Sequence, residues 1–295
     1  MSDIDAVYIH APAKINLFLR ILARESAGYH QIETLFAAVD LYDEICLERS
    51  NKGISLEVVG QDIGLCEHNL AYRAARCVLD SVSADFGVRI TLNKNIPIGA
   101  GLGGGSSDAG STLRALNLML GNPFSQLELL EFAVGLGSDV PFFASGFGRA
   151  LAWGRGERIL NVPESEMFTV LLALSSVKIS TKDAYRGLGI HTHVIPSVYD
   201  YTGLGRLENF ADMSINDFEA SIFTRYPRLG KIREAMEDQG AISARLSGSG
   251  GALFAIFEGQ SSAELAKESM STVWPDVKFV VTHSMANQPI PTVRP

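Results

Sequence analysis

The residues best suited to chemistry lie between Pro97 and Gly110, which read PIGAGLGGGSSDAG. Six of them are glycine, and Ser106, Ser107 and Asp108 follow the densest run. Glycine reaches positive φ and lets a backbone approach a ligand closely. Successive N–H groups of such a loop can converge on anionic oxygens. A helix starting at Ser107 would add unpaired N–H groups and the positive end of its dipole. The chemistry this suits is the cradling of a polyphosphate. A P-loop is excluded, because Gly104 is followed by Gly105 and not by Lys. Gly99, Gly101 and Gly104 satisfy GxGxxG. The segments after this loop read as helix upon helix, where a dinucleotide fold needs a strand bearing an acidic residue. A flexible linker is the bland alternative, and a poor one between a strand and an apolar helix.

Two charged residues stand in unusual company. Lys14 sits in an apolar strand pattern between Ala13 and Ile15, which is costly unless the charge is paired. Its ordinary alternative is the solvent face of an edge strand. Asp139 lies between a glycine turn and Val140-Pro141-Phe142-Phe143, so it could be held rigidly at a cleft wall. On its residues alone, Gly-x-Asp is more commonly a turn or a helix cap. Ser106, Ser107 and Asp108 could hold magnesium through hydroxyls or waters, and Ser107 or Asp108 could equally be an N-cap, so no metal ligand is assigned. The histidines show no metal spacing, and His191 and His193 read as surface residues. Ser249 lacks the GxSxG setting of a nucleophile, because Ser247 stands two residues before it.

The elements that must position these groups alternate between strand and helix. Ala13 to Leu22, Glu44 to Glu48, Ile54 to Val58 and Val88 to Leu92 read as strands. Asn69 is placed to cap a helix running to about Ala84. A helix over 107–120 ends at Gly121-Asn122-Pro123, and Ser125 with Glu128 forms a capping box for the next. Arg149 to Trp153 and Phe168 to Leu174 read as strands, and 187–209 as irregular loop. Pro227 to Gln239 is a helix closed by Gly240. Leu253 to Phe257, a helix capped by Ser261 with Glu264, and Val277 to Val281 complete the chain. This predicts an α+β arrangement with a boundary near Pro163, giving units 1–162 and 163–295.

Composition narrows the functions. The net charge of -8 argues against a nucleic-acid scaffold, although a few placed cations can still hold an anionic substrate. Hydrophobic residues make up 46% of the 295, enough for a real core. No apolar run is long enough to span a bilayer, and MSDIDAVYIH does not read as a signal peptide. Cys46, Cys66 and Cys77 match no metal or CxxC pattern and read as reduced, mostly buried thiols. A soluble cytoplasmic protein without nucleic-acid or membrane partners is expected.

Three segments fit one family together. Pro12-Ala13-Lys14-Ile15-Asn16-Leu17, the loop from Pro97 to Ser107, and Leu246-Ser247-Gly248-Ser249-Gly250-Gly251 resemble the three motifs of the superfamily that includes galactokinase, homoserine kinase, mevalonate kinase and phosphomevalonate kinase. Gly28-Tyr29-His30 and Gly137-Ser138-Asp139-Val140-Pro141-Phe142-Phe143 resemble the branch acting on a cytidine diphosphate-linked methylerythritol in the non-mevalonate route to isoprenoids.

The resemblance implies an N-terminal ribosomal-protein-like α+β unit against a ferredoxin-like C-terminal one, with both substrates in the cleft between them. It implies MgATP as donor. It implies ATP binding by Pro97, Ile98, Gly99, Ala100, Gly101, Leu102, Gly103, Gly104, Gly105, Ser106 and Ser107. Asp139 becomes the catalytic base and Lys14 its partner. Tyr29, His30, Tyr185 and Asn16 become contacts to the cytidine-linked acceptor, and Gly248, Ser249 and Gly250 the third-motif loop. A homoserine- or mevalonate-type kinase, a non-catalytic sensor on the same fold and a nicotinamide oxidoreductase are the rivals.

Overall fold

A computed structural model describes residues 4–25, 28–60, 66–163, 166–188 and 213–293. Two long strands, β1 (Ala6–Arg24) and β2 (His30–Ser50), form an antiparallel hairpin. Register shifts between Pro12 and Ala13, Asn16 and Phe18, and Ile21 and Ala23 bend it. Its burial is continuous from Ala11 to Leu19 and not alternating, so both faces are covered there. β3 (Ile54–Val59), β4 (Gly87–Asn93), β5 (Arg149–Gly154), β6 (Arg158–Asn161) and β11 (Thr292–Val293) complete a seven-stranded sheet. Its main path runs β11-β1-β2-β4-β3, and β5 joins β2 and carries β6.

Helices α1 (Leu70–Ser81), α2 (Gly104–Met119) and α3 (Gln126–Leu136) cover one face of this sheet. Their Ala74, Val78, Leu113, Leu116 and Leu129 pack on Val7, Ile9, Ile45 and Ile90. Asn69 caps α1 by accepting the Ala71 N–H at 2.7 Å. The Ser125–Glu128 capping box forms at the start of α3, as its spacing predicts. A short helix, α4 (Val140–Ser145), buries Phe142 and Phe143 against Phe36 and Ala150.

The second sheet comprises β7 (Thr169–Leu174), β8 (Ser243–Leu246), β9 (Ala252–Phe257) and β10 (Lys278–His283) in the order β10-β7-β9-β8, all antiparallel. With α5 (Thr181–Arg186), α6 (Glu219–Arg225), α7 (Pro227–Asp238) and α8 (Gln260–Val273), this is the ferredoxin-like βαββαβ arrangement. One face packs on Ile15, Leu17, Leu35 and Val39 of the first hairpin, and the other on the helices. The fold is the α+β class expected.

Three local expectations are corrected. The glycine-loop helix starts at Gly104, three residues before Ser107. Neither Ser107 nor Asp108 is therefore an N-cap; both are buried inside the helix. The Ser261–Glu264 cap does not form. α8 starts at Gln260, the Ser262 hydroxyl donates to the Gly259 carbonyl at 2.9 Å, and Glu264 pairs with Lys267 at 3.0 Å. The thiols are not mostly buried, since Cys66 and Cys77 are exposed and Cys46 is half-buried. Cys77 misses the apolar stripe of α1, which runs through Ala71, Ala74, Ala75, Val78 and Leu79. The irregular 187–209 stretch lies almost wholly outside the described residues.

Candidate active site

The glycine loop is held on three sides. The backbone N–H of Lys14 donates to the Leu102 carbonyl at 2.9 Å. The Ser247 hydroxyl donates to the Gly101 carbonyl at 3.0 Å, and the Ala252 N–H to the Ala100 carbonyl at 3.0 Å. Gly101 has φ +83°, and a Cβ there would collide with the Ser247 carbonyl. Gly103 has φ +72° and caps α2. Gly104, Gly105 and Ser106, the first turn of α2, line a cleft of about 440 Å³, and a helix N-terminus is a favourable place for an anion.

Lys14 projects into this cleft from the fully buried middle of β1 and is 3% exposed. Its Nζ donates to Asn16 Oδ1 at 2.6 Å and stands 3.7 Å from Asp139 Oδ2. Burial pulls the ammonium below the usual lysine value, and Asp139 partly restores it. Asp139 occupies the N-cap position of α4, yet its side chain makes no cap hydrogen bond and is about one-third exposed to the cleft. Its carboxylate lines the cleft and faces the Lys14 ammonium.

Asn16 is more committed than a substrate contact need be. Its Nδ2 donates to Thr34 Oγ1 at 2.8 Å, and that hydroxyl donates to the Phe18 carbonyl at 2.6 Å. This chain fixes the Oδ1 that receives Lys14. Gly248 and Ser249 line the same cleft, and the Ser249 hydroxyl meets Thr181 Oγ1 at 3.2 Å. Gly250 packs on the Ala100–Gly101 backbone.

Tyr185 also lines the cleft, and His30 stacks on it with ring centroids 4.3 Å apart and planes 14° apart. Burial, with a smaller contribution from Asp139, pushes the Tyr185 phenol up to about 12. Burial and Arg24 push His30 down, which favours a neutral imidazole able to donate and accept. Tyr29 is 56% exposed, with the Arg155 guanidinium 3.9 Å above its ring, and neither Tyr29 nor His30 is among the residues lining the cleft. Glu25 holds Arg155 at 2.6 Å.

Several participants carry no signal in the sequence. Lys94 lies beneath the glycine loop, paired with Asp43 and, at 2.7 Å, with Asp108. All three are buried, and Lys94 and Asp108 line the cleft. Burial opposes the Lys94 charge, but Asp108 and Asp43 outweigh it and raise its pKa. Burial pushes Asp108 up to about 7 against the pull of Lys94. Asp43 Oδ1 also accepts the N–H groups of Asn95 and Ile96 at 2.6 and 2.8 Å, which fixes the entry to the loop. Polar Asn93 and Asn95 around Lys94 read as a strand end, so nothing local marks it. For magnesium, the first turn of α2 offers hard oxygen donors. Ser106 lines the cleft, and Asp108 Oδ1 is buried without a hydrogen-bond partner. These fit an ion carried mainly by phosphates. Among the described residues, no group of three or more His, Cys, Asp or Glu could hold a metal alone.

A glycine-rich helix start and a buried lysine facing a partly exposed carboxylate, set in one cleft between these two α+β units, are the parts of a small-molecule kinase. Residues 69–147 match the N-terminal domain of GHMP kinases, and residues 199–276 the GHMP kinases C-terminal domain. The chain belongs to the 4-diphosphocytidyl-2-C-methyl-D-erythritol kinase family of these ATP-dependent enzymes. It is 40% identical over 276 residues to the family member of Prosthecochloris aestuarii, spanning 91% of this chain and 95% of the relative. It is 39% identical over 257 residues to that of Desulfotalea psychrophila, spanning 85% and 86%. A crystal structure of a 4-(cytidine 5'-diphospho)-2C-methyl-D-erythritol kinase superposes with a TM-score of 0.80 at 33% identity, over 94% of this chain and 99% of the other. Homoserine kinase from Cytophaga hutchinsonii shares the fold, with a TM-score of 0.75 at 22% identity over 100% and 99%. No described helix is long and apolar enough to cross a membrane.

Proposed function

We propose that the chain transfers the γ-phosphoryl group of ATP to the C2 hydroxyl of 4-diphosphocytidyl-2-C-methyl-D-erythritol, releasing ADP, within non-mevalonate isoprenoid synthesis. The observation that carries this reading is the 3.7 Å approach of Lys14 Nζ to Asp139 Oδ2 in the cleft that the glycine loop lines. ATP phosphates rest on the N–H groups at the start of α2 and on the loop from Pro97 to Ser107. The Asp139 carboxylate accepts the hydroxyl proton as the new P–O bond forms, and the bond to the β-phosphate oxygen breaks. Lys14, 3.7 Å from Asp139, stabilises charge on the transferring group. Asn16 orients Lys14 and faces the acceptor. Mg²⁺, held by the phosphates with Ser106 and the Asp108 carboxylate nearby, would neutralise phosphate charge.

The cytidine moiety is assigned to Tyr29, His30 and Tyr185. An aromatic ring stacks on the cytosine face, and the imidazole or backbone of His30 reads its edge. We place the domain division at Pro163, giving an ATP-binding unit 1–162 and a C-terminal unit 163–295. The change of sheet between β6 and β7 supports this. A cytoplasmic location is proposed, supported by three free cysteines. Steady-state inhibition by cytidine diphosphate tests the assignment. Competition with the acceptor and not with ATP is expected, and competition with ATP alone would overturn it.

A further inference from the structure

Asn216 lies outside every motif read from the sequence, yet it is only 3% exposed. Its Nδ2 donates to the Leu246 and Gly248 carbonyls, each at 2.8 Å, and its Oδ1 accepts the Phe218 N–H at 3.0 Å. The residues around it stitch two parts of the molecule together. Leu19 donates its N–H to the Ile215 carbonyl at 2.7 Å, and Asp217 returns its N–H to the Leu19 carbonyl at 3.0 Å. Asp217 Oδ2 accepts the Ile21 N–H at 2.7 Å, and Glu219 Oε1 accepts the Leu246 N–H at 2.8 Å. One short segment therefore grips the first strand and the third-motif loop together.

That loop lies against the reacting groups. A Cβ built on Gly248 would sit 3.3 Å from Lys14 Nζ and 3.4 Å from Asn16 Oδ1. One residue earlier, Ser247 holds the Gly101 carbonyl of the glycine loop. The two carbonyls that Asn216 holds bracket this residue. A carboxamide suits the task because one planar head supplies two donors and an acceptor, whereas a carboxylate supplies no donor. A buried carbonyl deprived of its donor is left unsatisfied at a cost, so the loop would move to find another.

We propose that Asn216 is a positioning residue for phosphoryl transfer, holding the Leu246 and Gly248 carbonyls so that the third-motif loop closes on Lys14, Asn16 and the glycine loop at once. The proposal rests on the kinase reading above. It explains why a residue that does not line the cleft is buried with both ends of its amide engaged.

Asn216→Asp separates its two tasks. It keeps the acceptor for the Phe218 N–H, so α6 still starts, and it removes both donors. The expected variant unfolds cooperatively, and its amide exchange quickens at Ser247, Gly250 and Ala252, whose N–H groups are hydrogen-bonded in the loop, while α6 stays protected. Its kcat falls about 10- to 100-fold, the scale of a small misplacement of reacting groups. In a Lys14→Met background the same substitution should add little, because it acts through Lys14. Unchanged exchange at Ser247, Gly250 and Ala252, or full additivity with Lys14→Met, would overturn the proposal. If Asn216→Asp does not fold, Asn216→Ser, neutral and with one donor, carries the same readouts. A wild-type chain that fails to phosphorylate the cytidine-linked acceptor would count against the kinase reading alone, since exchange at Ser247, Gly250 and Ala252 reports the clamp without turnover.

Discussion

His30 and Tyr185 stack nearly parallel, 4.3 Å between centroids, although one opens β2 of the first sheet and the other lies on α5 beside the second. The stacked pair thus bridges the two units, and Tyr185 is its member that lines the cleft. Tyr185 is also braced edge-on by Phe218 at 4.9 Å. A flat, braced ring is suited to a nucleobase. Tyr185→Ala and Tyr29→Ala are each expected to raise the KM for the cytidine-linked acceptor by the equivalent of about 1–3 kcal/mol, leaving that for ATP nearly unchanged. Initial rates with each substrate varied in turn check this. An equal rise in both constants would remove the aromatic pair from acceptor binding.

The phosphate cradle has a cleaner test than its left-handed glycines. Gly105 is exposed, and a Cβ there meets only Leu70 Cδ1, at 3.9 Å. Gly105→Val should therefore fold normally while placing a branched side chain where phosphates approach. Calorimetric titration should show ATP affinity lowered at least about tenfold, which is about 1.4 kcal/mol. Wild-type affinity in the folded variant would sink the cradle.

For the catalytic pair, Asp139→Asn keeps the shape and loses the proton acceptor. Turnover should fall about 10²–10⁴-fold, the usual range for a general base, with little change in ATP affinity. Lys14→Met should also slow turnover, and the double variant should lose less than the product of the two effects. Strict additivity in the cycle would mean that the residues act separately.

The same pair makes a titration prediction. Burial lowers the Lys14 pKa below the ordinary lysine value and the Asp139 charge opposes that fall. Removing the negative charge in Asp139→Asn removes support for the ammonium, so the pKa should fall further. An NMR titration of the Lys14 side chain reads the shift, and an upward or absent change would contradict the pairing.

Lys94 holds two buried carboxylates. Lys94→Met would strand Asp43 and Asp108 without a counter-charge, and losing one partner of a buried pair destabilises by about 3–5 kcal/mol. Denaturant unfolding should show the loss, with Asp108→Asn in the same background recovering part of it. A midpoint unchanged by Lys94→Met would remove this ion cluster from the loop's support.

The glycine loop is legible in sequence because its conformation demands the residue type. Gly101 cannot carry a side chain against Ser247, and that constraint shows as composition. Lys14 is legible because a cation in an apolar strand is expensive. The long hairpin is legible only in part. Ala13 to Leu22 and Glu44 to Glu48 read as strands, but the first half of β2 does not, because continuous burial from Thr34 to Val39 removes the alternation that marks a strand and three register shifts break the period further. Sequence places the helix start late because glycine disfavours helix, whereas Gly104 and Gly105 are helical next to a loop held by Lys14, Ser247 and Ala252. Lys94 and Asn216 are silent in sequence for one physical reason. Asp43 is 51 residues from Lys94, and Leu246 is 30 from Asn216, so their chemistry exists only after folding.

The most direct measurement is phosphorus NMR of the full chain incubated with MgATP and 4-diphosphocytidyl-2-C-methyl-D-erythritol. The expected result is one new phosphate monoester on the C2 oxygen for each ADP formed, with no product from Asp139→Asn over the same interval. Absence of the monoester, or preferential phosphorylation of mevalonate or homoserine by the wild-type chain, would contradict the account.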